Sequence, residues 1–258
     1  MWRHIAQSVQ GSAHAADNSS CQDYCAVRCF GEGAEAALVA CASDGAGSTK
    51  NGGVGAKMAC EQIIASAADH YDARGSLAGI DAAVVLGWCE ESRRGIADFA
   101  ELCQIPFRDY ASTLCVAVVT PANSVFLQIG DGAIVGRRHG VTGVVFWPQS
   151  GEYVNTTHFL TSPEFHDRVQ LLDVDGGFDD IALLTDGIER LALKFDILTP
   201  HAPFFEPLFK VLRTTGDASN LERDLALFLN SPSIRDKTDD DRTLVLGSRV
   251  DHEPASLH

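Results

Sequence analysis

The distribution of apolar and polar positions along the chain divides it into strands, two long helices, more strands, two further helices and a last strand. Strands are predicted over residues 5–9, 24–30 and 36–42, the last an apolar run without a charge, which marks a buried strand. Residues 11–21 read as a loop. Helical spacing follows over 54–71, with Met58, Ile63, Ile64 and Ala67, and over 80–103, with Val84, Val85, Trp88, Ile96 and Phe99. A short connection between them predicts antiparallel packing. Strands return over 113–119, 124–129, 134–138 and 141–147, with turns at Pro121-Ala122-Asn123 and His139-Gly140. Short strands at 157–160 and 169–173 precede the apolar strand 181–185, and a helical turn or two covers 188–195. Pro200 and Pro203 mark a break, helices span 204–212 and 221–229, and a strand at 243–246 closes the fold. Residues 251–258 form a frayed tail. This order lacks βα alternation and predicts an α+β fold, two antiparallel sheets packed together with helices on their outer faces.

The strand ends carry the candidate chemistry. The run 36–42 stops at Asp44-Gly45, the run 125–130 at Asp131-Gly132, and the run 181–185 at Asp186-Gly187. Asp239-Asp240-Asp241 sits just before the last strand, and Asp23 beside the second. Asp-Gly is also a frequent hairpin signal, and Asp175-Gly176-Gly177 reads as such a turn. Aspartate at five strand ends goes beyond what solvated turns need, whereas a hard divalent cation needs several carboxylate oxygens at once. Histidines and cysteines do not accompany these aspartates, which favours Mg²⁺ or Mn²⁺ over zinc. The glycine-rich stretch 45–55 lacks the G-x-x-x-x-G-K-[ST] spacing of a P-loop. His166-Asp167 has no G-x-S-x-G partner, so serine-hydrolase chemistry is rejected.

Six motifs in order then carry a resemblance: Gln22-Asp23, Ser43-Asp44-Gly45-Ala46-Gly47, Ala111-Ser112-Thr113, Gly130-Asp131-Gly132, Thr185-Asp186-Gly187-Ile188 and Asp240-Asp241-Arg242-Thr243. Over residues 8–249 the chain resembles the type 2C metal-dependent protein phosphatases, in particular their bacterial members. The resemblance implies a four-layer α-β-β-α sandwich and hydrolysis of phosphoserine and phosphothreonine in proteins by a metal-bound water. Carried over by motif, Asp44 would bridge two metals, with the Gly45 carbonyl completing one coordination sphere. Asp186 and Asp240 would bind the second metal, Asp23 would bind weakly or hold a metal-bound water, and Asp131 would contribute to a third site. Asp44, Asp186, Asp240 and His14 are the implied catalytic residues.

Three departures qualify the match. Gln22 stands where many members have a metal-binding glutamate, and Ala46 where animal members carry a histidine. The phosphate-gripping arginine of a Gly-x-x-Arg pattern is replaced in Gly11-Ser12-Ala13-His14, so His14 becomes the candidate phosphate contact beside a plain loop role, with Arg3 and Lys50 next. Two alternatives to a protein phosphatase stay open: a pseudophosphatase acting as a regulatory binding module, and a small-molecule phosphoesterase using the same site.

At 258 residues and 27.6 kDa the chain suits one domain. Its net charge of −15 disfavours nucleic acid as a partner, and bound cations would neutralise part of the acidic excess. No apolar run approaches the ~20 residues a membrane span needs, and the polar N-terminus is unlike a signal peptide. A cytoplasmic monomer with a phosphorylated protein as its partner is expected. The eight cysteines are read as buried free thiols, and Arg93-Arg94 and Arg137-Arg138 as solvated faces.

Overall fold

The structure, a computed structural model, describes residues 1–149, 157–215 and 219–250; the predicted tail at 251–258 lies outside them. In chain order its elements are β1 (Trp2–Val9), α1 (Ser12–Ala16), β2 (Tyr24–Phe30), β3 (Ala37–Ser43), α2 (Gly52–Arg74), α3 (Ala82–Cys103), β4 (Leu114–Val119), β5 (Asn123–Ile129), β6 (Ala133–Arg138) and β7 (Val141–Phe146). There follow α4 (Phe165–Arg168), β8 (Gln170–Asp175), β9 (Asp180–Leu184), α5 (Glu189–Ala192), β10 (Leu193–Lys194), β11 (Thr199–Pro200), α6 (Ala202–Thr214), α7 (Leu221–Leu229), α8 (Pro232–Arg235) and β12 (Arg242–Arg249). Two five-stranded sheets result, in the orders β1-β12-β9-β6-β7 and β2-β3-β4-β5-β8, antiparallel throughout.

Strand geometry explains why β3 is apolar from Ala37 to Ala42. Alternate side chains point to opposite faces, so Leu38, Ala40 and Ala42 pack between the sheets while Val39 and Cys41 pack under α2 and α3. The same division runs through β9, where Ile181 and Leu183 face the other sheet and Ala182 and Leu184 face α6 and α7. Both of these interior strands are therefore covered on both faces, which removes any place for a polar residue until the strand ends. The two outer helix layers follow from the same burial. The pair Ser66 Oγ–Glu91 Oε2 at 2.8 Å and the ring contact His70–Trp88 run in opposite directions along the chain, so α2 and α3 are antiparallel as expected. Layer by layer this is the expected α-β-β-α sandwich.

Several local expectations are corrected. The loop 11–21 contains the short helix α1, which is alanine-rich but buries none of its residues and so leaves no periodic signal. Residues 157–160 form no strand; Leu160 donates a single bond to the Ser112 carbonyl (2.7 Å) instead of joining a ladder. The stretch 188–195 is one turn of helix followed by β10. Asp175-Gly176-Gly177 is not a hairpin, because β8 and β9 belong to different sheets and the turn carries the chain from one to the other. Pro203 lies in the first turn of α6, where its missing N–H costs nothing. Arg93 is not on a solvated face: it donates to the carbonyls of Leu160 and Ser162 and lies over the Phe165 ring at 4.5 Å. Arg137 pairs with the buried Asp180. All eight cysteines are free, but Cys103 is exposed and Cys21, Cys25 and Cys29 are half-buried.

The interface between the sheets carries a direct test. Leu38 is fully buried there, so Leu38→Ala should cost about 2–5 kcal/mol in urea unfolding, the range of a core leucine truncation. A loss under ~1 kcal/mol would mean the two sheets are not packed face to face at this point.

Candidate metal centre

The antiparallel registers bring the aspartates to one edge of the sandwich. Tyr24 pairs with Ser43, so Asp23 before β2 and Asp44 after β3 are neighbours. Leu184 pairs with Leu244 on one side and Ala133 on the other, which places Asp186, Asp240 and Asp131 around the same point. The motif Ala111-Ser112-Thr113 buttresses this edge: Thr113 Oγ1 accepts from the Asp44 N–H (2.9 Å) and its own N–H donates to the Asp44 carbonyl (2.8 Å).

The glycine after each aspartate has a packing reason. A Cβ on Gly45 would lie 2.2 Å from the carbonyl carbon of Gly52, at the start of α2. One on Gly187 would lie 1.8 Å from the Asp241 carbonyl oxygen. Only glycine lets these backbones close on each other.

Asp44, Asp131 and Asp186 present oxygens that all lie within 4.8 Å of one another. With His14, Gly45 and Asp240 they line a cavity of about 220 Å³. Asp23 sits behind them, buried, with Thr185 and Thr243 both placing their hydroxyls 2.7 Å from its Oδ2. Its other oxygen is buried without a partner, as is Oδ1 of Asp131, whose Oδ2 accepts from Thr157 (2.6 Å). Burial first, then repulsion from neighbouring carboxylates, drives Asp186 up to about 8 and Asp44 well above the usual carboxylate range. Asp23 rises to about 7, chiefly through burial and against the pull of its two threonines. Asp240 is raised by burial as well. Orphaned buried oxygens and repelling carboxylates are what a hard cation satisfies, so Mg²⁺ or Mn²⁺ fits this donor set.

A second arrangement was not anticipated in the sequence. Asp241, buried beside Asp240, accepts the N–H groups of Gly11 (2.6 Å) and Gln22 (2.5 Å), and its Oδ1 lies 2.9 Å from His14 Nδ1. Burial alone would push Asp241 up, but these N–H groups and the His14 ring hold it below the usual carboxylate range. Partial burial pulls the His14 imidazole down, and the contact with Asp241 outweighs it, leaving His14 above the usual histidine value. The only sequence signal was a run of three aspartates, which does not say which one turns inward. Gln22, with its amide oriented to suit its surroundings, donates to the carbonyls of Gly45 (3.2 Å) and Ala46 (3.3 Å). Arg3 lies elsewhere, donating to the carbonyls of Leu212 and Arg213 at the end of α6. Lys50 lines a neighbouring cavity instead.

The comparisons with known proteins agree with this geometry. The model of the protein phosphatase 2C family matches residues 10–230. Serine/threonine-protein phosphatase 3 of Escherichia coli (strain K12) is 32% identical over 249 residues, covering 95% of this chain and 97% of that protein. The structure of the serine/threonine phosphatase PstP/Ppp of Mycobacterium tuberculosis superposes with a TM-score of 0.64 at 16% identity, covering 97% of this chain and 99% of that one. A PstP catalytic domain in complex with two manganese ions gives 0.63 at 17% identity, with 97% and 99% covered. The chain belongs to the protein phosphatase 2C family. It is a metal-dependent serine/threonine protein phosphatase, a hydrolase acting on phosphorylated proteins.

The raised carboxylates set a pH dependence for the metal-free protein. Their folded-state values lie above the unfolded ones, so their favourable effect is complete below about pH 4 and is lost as pH rises through about 7 to 8. With EDTA present, Tm should fall between about pH 5 and 8, and Mn²⁺ should restore it most at the upper end. Asp44→Asn should raise the metal-free Tm at about pH 8 and abolish activity. An unfolded Asp44→Asn protein, or a flat Tm profile in EDTA, would contradict this account.

Proposed function

We propose that Asp44, Asp186 and Asp240 hold the cations of a phosphoserine and phosphothreonine phosphatase site, with the Gly45 carbonyl as a further ligand. The observation that carries this reading is the meeting of Asp44, Asp131 and Asp186 oxygens within 4.8 Å. Two ions are proposed, as in the PstP domain that holds two manganese ions, with Asp131 contributing to a third. When bound, such cations neutralise the carboxylates, activate water for attack on phosphorus and offset charge on the phosphoryl oxygens. The chain's own residues do the rest. Asp23, clamped by Thr185 and Thr243, keeps β2, β9 and β12 in register behind the site. Gln22 fixes the Gly45–Ala46 backbone. His14, held by Asp241, which favours its protonated form, contacts the non-bridging phosphate oxygens and orients the ester. Retention of the whole acidic set favours turnover over a binding-only role.

The working unit is proposed to be a monomeric, cytoplasmic, single-domain protein over residues 1–258. No helix among the described residues is long and apolar enough to cross a membrane.

Hydrolysis of p-nitrophenyl phosphate and of phosphopeptides should require Mn²⁺ or Mg²⁺ and stop with EDTA. No turnover by a folded, metal-replete protein would overturn the reading. Asp131→Ala should retain tight metal binding while turnover falls by about tenfold or more. Unchanged turnover at saturating Mn²⁺ would return Asp131 to a turn-forming role.

His14 gives a separate test. Because its imidazolium persists above the reference value of ~6.5, KM for p-nitrophenyl phosphate should stay low near neutrality and rise as pH climbs past the His14 pKa. His14→Ala should raise KM and remove that rise, and His14→Arg should keep KM low into alkaline solution. A KM and pH profile untouched by His14→Ala would make this an ordinary loop histidine.

A further inference from the structure

Beside the metal cavity, across the loop formed by residues 45–52, lies a larger cavity of about 720 Å³. Gln22 and Asp23 line it, and Gln22 also reaches the Gly45 and Ala46 carbonyls on the metal side. Gln22 and the Gly45-Ala46 backbone it holds therefore stand between the two cavities. A volume more than three times that of the 220 Å³ metal cavity is far more than a phosphoryl group fills.

Its lining has two further characters. Val54, Met58 and Phe99 give it an apolar floor, with Val54 and Phe99 left 42% and 37% exposed. Lys50 and Lys57 share the lining with two carboxylates, Asp23, which is buried, and Glu61, which is already held by Lys57 and by the Tyr24 hydroxyl, donating to it at 3.2 Å. The chain has only five lysines (Lys50, Lys57, Lys194, Lys210 and Lys237) against a net charge of −15. Among the described residues no carboxylate lies within 4 Å of Lys50, and Lys57 meets only Glu61, at 3.8 Å between two mostly exposed side chains. Such a pair contributes little and is readily exchanged for a better partner.

We infer that this cavity seats the polypeptide flanking the phosphorylated residue, and that Lys50 and Lys57 select substrates with an acidic side chain in that flank. The inference rests on the phosphatase reading above and specifies its substrate. The apolar floor takes a neighbouring aliphatic or aromatic side chain of the same segment, while the phosphate enters the metal cavity across the loop. An acidic protein otherwise repels acidic peptides, so a local pair of lysines is where such a preference must arise.

The test uses the full chain with saturating Mn²⁺ and three phosphopeptides that differ only in a Glu, Ala or Lys beside the phosphoserine, with p-nitrophenyl phosphate in parallel. In wild type, kcat/KM should favour the Glu peptide over the Lys peptide by about fivefold at low ionic strength, the scale of two exposed ion pairs. The preference should shrink in about 0.5 M salt. The double variant Lys50→Glu/Lys57→Glu should invert it and leave p-nitrophenyl phosphate turnover unchanged. Phe99→Ala should raise KM for all three peptides and not for p-nitrophenyl phosphate. Equal kcat/KM across the peptides in wild type, or a preference that survives the double reversal, overturns the groove while intact p-nitrophenyl phosphate turnover leaves the phosphatase reading standing. Absence of metal-dependent turnover on every substrate brings down both.

Discussion

Repulsion among carboxylates that the sheets force together is the constraint on which the rest of this structure depends. Five strand ends converge on one edge of the sandwich, and Asp23, Asp44 and Asp186 are held there in surroundings that disfavour their ionised forms. Nothing local would assemble such a cluster. The burial of two apolar sheet faces against each other supplies the driving force, with each strand carrying its terminal aspartate to the edge. The folded protein thereby holds a site whose unfavourable self-energy becomes binding energy for a divalent cation.

The parts around the cluster serve to keep that edge closed. Glycines after Asp44 and Asp186 admit a neighbouring backbone where any side chain would collide. Thr185 and Thr243, on adjacent strands, converge on one oxygen of Asp23 and leave the other without a protein partner. Asp241 joins the start of α1, the approach to β2 and the His14 ring in a single anchor. The result is an imidazole beside the carboxylates, placed by a buried aspartate that favours its protonated form.

The charge distribution links this site to a substrate. A protein of net charge −15 presents an unfavourable field to a phosphorylated polypeptide at long range. Bound divalent ions would offset that field at the metal cavity, and Lys50 and Lys57 line the cavity on the other side of the 45–52 loop. On the groove proposed above, phosphate recognition depends on docking of the flanking chain as well as on the ions.

The linear sequence by itself determined the layer order, because short uninterrupted apolar runs such as 36–42 and 181–185, ended by Asp-Gly and too short for helices, suit strands covered on both faces, and the order of elements lacks βα alternation. It also determined the candidate ligands, because aspartate at the end of each such run has no packing reason to recur. Short elements without periodicity escaped it: α1 buries nothing, and residues 157–160 are held by single bonds such as Leu160 N–H to the Ser112 carbonyl instead of a ladder. The roles of Asp241, Arg93 and the lysine-lined groove were decided by tertiary structure alone. Each depends on partners distant in the chain: 230 residues separate Asp241 from Gly11, and 67 separate Arg93 from Leu160. A buried charge is recognisable only through the groups that compensate it, and those are brought together by the packing of the sheets, not by any local pattern.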